Sequence, residues 1–225
     1  MSTSQDPARP VGVHYEGDLR RALVDAAASA IAEVGAEAVS LREVARRLGV
    51  SHAAPAHHFV DKAGLLTAVA TAGFERFLEH MATALVATAG DPSTRPADVL
   101  LALGRAYAAF AEQQSGYFAV MFHPSLIRAD DPDYVAASDA AFEALRTTVE
   151  AQQHAGWHPE DDTRALAAAA WSFAHGISVL RTQGSLERHY PDRSLDGVEA
   201  VASTLLGEGT TRRRAATRRR RPGTS

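Results

Sequence analysis

Between residues 19 and 34 the apolar side chains Leu19, Leu23, Ala26, Ala27, Ala30, Ile31 and Val34 recur at steps of three and four. That spacing lays them along one stripe of a helix. Gly17 and Asp18 precede the stripe and Gly35 follows it, where helix starts and stops are expected. A short second segment turns Leu41, Val44, Ala45 and Leu48 inward, with Ser40 and Glu43 in the S-x-x-E pattern of a capping box and Gly49 at its end. Ser51 is placed to cap a third helix reaching about residue 59. Asp61 is placed to cap a fourth that carries Leu65, Val69, Phe74 and Leu78 to about residue 89. Gly90-Asp91-Pro92-Ser93-Thr94-Arg95-Pro96 is a clear break. Beyond it the pattern predicts helices over about 97–113, 116–122, 132–154, 160–183 and 195–206, separated by His123-Pro124, Asp130-Asp131-Pro132 and Gly156-Trp157-His158-Pro159. There is no internal repeat, and residues 1–14 and 208–225 lack apolar periodicity, so both ends read as flexible or disordered.

Composition narrows this to one fold class. Alanine supplies 46 of 225 residues against 15 aromatics, and β-branched runs are missing, so an all-α protein is expected. The length suffices for a small domain beside a larger one. Without cysteine there are no disulfides, thiolate metal sites or thiol nucleophiles. No apolar run approaches the ~18–20 residues of a membrane span, and the polar N-terminus with Asp6 does not resemble a secretory signal, so a cytoplasmic location is expected. The net charge of −4 hides a division: seven of the 23 basic residues are the arginines at 212–214 and 218–221, and the remainder is markedly acidic. Anion binding must therefore be local. The arginine-rich tail reads as a solvated segment, the alternative being a basic arm that adds sequence-independent DNA affinity.

Residues 40–59 combine a short capped helix, a tight turn at Gly49-Val50 and a second short helix, the layout of a helix-turn-helix. Arg42, Arg46 and Arg47 lie with Glu43 on the outward side of the first helix, as suits a helix crossing a phosphate backbone. The stretch Gly49-Val50-Ser51-His52-Ala53-Ala54-Pro55-Ala56-His57-His58-Phe59-Val60-Asp61-Lys62-Ala63-Gly64-Leu65-Leu66 resembles the signature of the tetracycline-repressor (TetR) family of transcription regulators. The resemblance extends over about residues 15–77. It implies a three-helix DNA-binding unit (15–77) followed by a larger helical domain (78–207) that dimerises and binds a small effector. Carried over by position, Val50, Pro55 and Phe59 pack against the core, while His52, Ala53, Ala54, Ala56 and His57 fall on the groove-facing side and His58 and Lys62 at the DNA backbone; Ser51 and the phosphate-facing Arg42 complete the expected DNA-binding set. The family usually has Tyr where this chain has Ala56, so one phosphate contact is missing. The alanines offer only methyl groups, suited to a thymine methyl, and no Arg, Asn or Gln is present for a bidentate base contact. His52, His57 and His58 lack the carboxylate or thiolate that would complete a metal set, so no metal and no cofactor is expected.

In the second half, Trp171-Ser172-Phe173-Ala174-His175-Gly176 resembles the Trp-x-x-x-His-Gly stretch of one C-terminal subclass of these regulators. Tyr107, Phe110, Tyr117, Phe118, Met121, Phe122 and Phe142 concentrate upstream and are expected to be mostly core, with a subset lining a pocket. The candidate ligand-binding residues are Tyr107, Phe110, Tyr117, Phe118, Phe122, His123, Trp171 and His175, with the two histidines as the polar groups. So apolar a set implies a largely apolar effector. Helices 160–183 and 195–206, rich in Ala and Leu, stand where the family makes its dimer interface. No phosphate-binding Gly loop, H-E-x-x-H or G-x-S-x-G is present, and no catalytic residues are assigned. The expectation is a homodimeric regulator of a palindromic double-stranded DNA operator, a repressor released by its effector. The alternative is a helical small-molecule-binding protein with weak or lost DNA binding, which Ala56 and the near balance of charge over residues 14–62 favour.

Overall fold

Alanine-rich stripes with helix breakers between them leave the backbone one way to satisfy its hydrogen bonds. The computed structural model, which describes residues 19–89 and 93–189, is helical without a strand among those residues. Four helices come before the break: α1 (Leu19–Val34), α2 (Leu41–Leu48), α3 (Ala54–Phe59) and the 28-residue α4 (Lys62–Ala89). After it come α5 (Pro96–Gln113), α6 (Ser115–Met121), α7 (Pro132–His154), α8 (Thr163–Thr182) and a short α9 (Ser185–His189) that the apolar pattern did not predict. The expected helix over 195–206, the flexible segment 1–14 and the arginine-rich tail lie outside the described residues.

Local chemistry sets most of the ends. Ser40 Oγ accepts the Glu43 N–H at 3.2 Å, and Gly49 closes α2 in the left-handed conformation at φ 66°. Asp61 accepts the Gly64 N–H at 2.8 Å, Asp131 those of Asp133 and Tyr134, and Asp162 that of Ala165. Two expectations fail. Glu43 does not complete a capping box, because its carboxylate binds Arg46 and Arg47 instead of reaching back to Ser40. Ser51 does not cap α3 through its side chain; two turn residues intervene, and its carbonyl accepts the Ala54 N–H. Between α3 and α4 the chain reverses over Val60, at φ 66° and ψ −57°, where the Asp61 N–H donates to the Phe59 carbonyl at 2.7 Å. This is a γ-turn in the sense that β-branched residues rarely adopt.

The main core joins both halves of the chain: Leu23, Ile31, Val44, Phe59, Leu65 and Phe74 from α1–α4 pack with Tyr107, Phe110, Phe118 and Met121 from α5 and α6. A smaller cluster, Leu100, Leu103, Val149, Trp157 and Ala167, ties α5, α7 and α8 together at the far end. The position near residue 77 that divides the two expected domains falls inside α4, which both halves share.

At Gly116 the backbone of α6 lies directly on that of α1: a Cβ there would stand 1.9 Å from the Ala28 carbonyl oxygen. Beside this contact the Tyr117 hydroxyl donates to Asp25 at 2.6 Å, Arg76 pairs with the same oxygen at 2.8 Å, and the guanidinium sits 4.9 Å over the Tyr117 ring. Gly116→Ala should therefore destabilise the protein by about 3 kcal/mol, the upper part of the usual overpacking range, because the obstacle is backbone and cannot rotate away. Urea unfolding measures this; a loss under about 0.5 kcal/mol would show that α6 can withdraw from α1.

Candidate functional site

The exposed side of the helix-turn-helix is less basic than its sequence. Glu43 receives Arg46 at 2.8–2.9 Å and Arg47 at 3.0 Å, and Arg47 also grips both Glu33 oxygens at 2.8 Å. Those two guanidiniums hold the Glu43 carboxyl at about 2, far below the usual carboxylate range. Of the three arginines expected to face phosphate, Arg42 is the exposed one without a partner among the described residues. The Arg47–Glu33 pair was hidden because Glu33 belongs to α1, fourteen residues before Arg47, whereas the Glu43 pairs lie within one turn of α2.

On α3 the buried side chains are Pro55 and Phe59, with Val50 half-buried behind them. Ser51, His52, Ala53, Ala56, His57 and His58 are exposed, and Ala54 is half-buried. The turn before the six-residue α3 and the outward side of that helix thus expose Ser51, His52, Ala53, Ala56, His57 and His58 together. Lys62, half-buried, donates its ammonium to the Glu37 carbonyl, which fixes it beside the start of α4. Among the described residues no three His, Cys, Asp or Glu side chains are grouped to hold a metal ion.

Behind α3, the Asp61 carboxylate is held below its ordinary range, chiefly by the Gly64 N–H and then by Arg128, 2.9 Å away. Arg128 belongs to the loop between α6 and α7, and its backbone N–H donates to Thr67 Oγ1 on α4 at 2.9 Å. The same loop region supplies Phe122 and Pro124 to a large cavity.

That cavity, about 760 Å³, lies among α4, α5, α7 and α8. Its size falls within the ~300–1,000 Å³ of small-molecule sites. Of the eight candidate ligand residues, Tyr107, Phe122, Trp171 and His175 line it. Phe110, Tyr117 and Phe118 are instead buried core, and Tyr117 faces Asp25 on α1. His123 is exposed and outside the lining, a correction to its pairing with His175: α6 ends at Met121, so residue 123 leaves the helix. Phe74, Phe77 and Tyr134 also form walls, and Phe142 joins them from the aromatic stretch. The first two were missed because α4 reads as a core stripe, and only its packing against α5–α7 opens one side of it.

The polar feature of the wall is a pair from distant helices: Tyr107 Oη and His175 Nδ1 are 2.8 Å apart. Burial raises Tyr107 well above the ordinary phenol value, while Trp171 interacts with its oxygen and partly offsets this. Burial lowers His175, which keeps the imidazole neutral. Phe122 stands edge-on at 4.6 Å between ring centroids.

Comparison with known proteins agrees with this architecture. A family model described as bacterial regulatory proteins, tetR family, matches residues 23–69, and one described as tetracyclin repressor-like, C-terminal domain, matches residues 100–205. The latter description does not name the Trp-x-x-x-His-Gly subclass. Over 49 residues the chain is 49% identical to the HTH-type transcriptional regulator BetI of Klebsiella pneumoniae (strain 342), a match that covers 22% of this chain and 25% of that one. The chain thus matches about a quarter of the length of its curated relatives. Among solved structures, a protein with unknown function from Rhodococcus sp. RHA1 is 30% identical with a TM-score of 0.72, covering 86% of this chain and 95% of that one. The TetR family transcriptional regulator PfmR from Thermus thermophilus is 25% identical with a TM-score of 0.55, covering 69% and 84%.

The lowered His175 value fixes the sign of one pH effect. An unfolded chain takes up the proton near the ordinary 6.5, whereas the folded one resists it, so the contribution to stability is intact above 6.5 and is lost as pH falls below it. The melting temperature of His175→Phe should decline less steeply than that of the native protein between pH 7 and 5. Parallel declines would mean that the imidazole is not held neutral.

Proposed function

The chain belongs to the TetR family of transcription regulators, with a helix-turn-helix that binds DNA, and we propose that it is a homodimeric repressor released from a palindromic operator by a small, largely apolar effector. The observation that carries this reading is the division of α3 into a buried side and an exposed row of short and imidazole side chains, with Arg42 of α2 exposed and without a partner among the described residues. In it, residues 15–77 form the DNA-binding unit and residues 78–207 the effector and dimerisation domain. Arg42, Ser51, His58 and Lys62 meet phosphates, while His52, Ala53, Ala54, Ala56 and His57 meet base edges. Two such helices in a symmetric dimer enter successive major grooves ~34–36 Å apart. The large aromatic cavity, joined to the α3–α4 junction through the 122–131 loop, is the effector site.

Dimerisation is supported by α8. It packs one side on α5 and α7 while Ala165, Ala168 and Ala169 are exposed, along with 44% of Leu180 and 39% of Trp171. Small side chains in a row allow a second helix to approach closely. The reading of a small-molecule binder with lost DNA affinity draws on the neutralised Arg46 and Arg47. Selection of bound fragments from genomic DNA with the full chain decides between them: the repressor recovers a common palindrome, the binder none.

On that operator, Arg42→Ala should lower the slope of log affinity against log salt by about one. Arg46→Ala, which removes a cation already paired to Glu43, should change it by less than half as much. Equal effects of the two would overturn the assignment of Arg42 as the principal phosphate contact of α2. Leu180→Glu should shift the protein from dimer to monomer in light scattering at micromolar concentration; an unaltered mass would move the interface off this face of α8.

A further inference from the structure

The Tyr107–His175 pair can be hydrogen-bonded in two ways, and only one leaves the tyrosine satisfied. If His175 Nδ1–H donated to Tyr107, the phenolic hydrogen would need another acceptor, and Tyr107 is buried with none among the described residues. If the Tyr107 hydroxyl donates to Nδ1, its hydrogen has an acceptor 2.8 Å away. The second arrangement leaves the buried phenol with its hydrogen paired. It also sets the tautomer: Nδ1 is the acceptor, and the proton of a neutral ring sits on Nε2. His175 makes no other hydrogen bond among the described residues, and its ring lines the cavity against Phe118 and Phe122. The wall therefore offers a donor without a partner, surrounded by aromatic carbon.

Resting on the reading of this cavity as the effector site, we infer that it selects an uncharged lipophilic molecule carrying a carbonyl oxygen, which His175 holds through Nε2–H. A carbonyl only accepts, so it pairs with the donor and leaves nothing unsatisfied. A hydroxyl can also accept from Nε2–H but brings a hydrogen that needs an acceptor of its own, and an ammonium group finds a donor where it needs an acceptor. A carboxylate would have to shed its water against a neutral imidazole. The charged lining residues, Arg105 and Asp139, are opposite in sign and exposed, whereas Tyr107 is buried and His175 half-buried. The volume of about 760 Å³ leaves room for a long hydrocarbon portion along the walls of α4 and α7.

The test uses the full chain and probes of one chain length: nonane, 2-nonanone, nonanoate and nonylamine, followed by intrinsic tryptophan emission, to which Trp171 in the wall contributes. The ketone should bind about tenfold more tightly than nonane, as one hydrogen bond implies, and more tightly than either charged probe. His175→Phe, which keeps an aromatic ring but no donor, should abolish the ketone's advantage and leave nonane unchanged. Tyr107→Phe should reduce that advantage by releasing the tautomer. Nitrogen NMR of the imidazole should show His175 protonated at Nε2 and bare at Nδ1. Equal binding of ketone and nonane, an advantage that survives His175→Phe, tighter binding of a charged probe, or the opposite tautomer each overturns the carbonyl anchor. Failure of all four probes to bind overturns the effector cavity itself, and the anchor with it.

Discussion

Two helix backbones touch at Gly116 and Ala28, and the relation of the DNA-binding helices to the rest of the molecule depends on that contact. The α1 helix is the buried centre of the first three helices, with Leu23, Ala27, Ala30 and Ile31 almost wholly enclosed. The α6 helix continues from Gly116 through Phe118 to Phe122 at the cavity wall. With no side chain between them, α6 cannot slide or roll without carrying α1, since close-packed interiors transmit displacement rather than absorb it. The Asp25–Tyr117–Arg76 cluster adds a polar registration to the same joint.

The loop after α6 makes a second tie. Within a few residues it places Phe122 and Pro124 in the wall, buries Ile127 and pairs Arg128 with Asp61 at the end of α3. A ligand acts through such a connection only as far as it binds one arrangement of the helices better than another. The two ties give it two directions of leverage, one on α1 and one on the α3–α4 turn.

Much of the fold was legible because its signals are local. Asp61, Asp131 and Asp162 each act on a backbone N–H within three residues, and Pro and Gly mark the breaks. What misled was mostly side-chain pairing. Arg46 and Arg47 read as phosphate-facing although Glu43, three and four residues away, holds both, and the Arg47–Glu33 pair joins α2 to α1. His123 and His175 both neighbour aromatic residues in the sequence, but α6 stops two residues before His123 and leaves it at the surface. The partner of His175, Tyr107, lies 68 residues away, and no periodicity joins them. Candidate site residues were thus recognisable by type, while their grouping required the packing of α5 on α8.

The partition of α3 has a consequence for how such a protein can diverge. Its anchoring side chains, Pro55 and Phe59, and its outward ones, Ala56, His57 and His58, are separate sets, and the turn residues His52 and Ala53 before it are exposed as well. Exposed positions of this kind tolerate exchange at little cost in stability, generally within about ±0.5 kcal/mol. If these exposed residues read the operator as proposed, a duplicated copy acquires a new one by a few substitutions there, without compensating changes in its core. The cavity has no such freedom: Phe74 and Tyr107 serve both its wall and the main core, so if it is the effector site as proposed, a new effector specificity must evolve against the stability of the fold. Within a lineage of such regulators, DNA targets should turn over faster than the chemistry of the signals they sense.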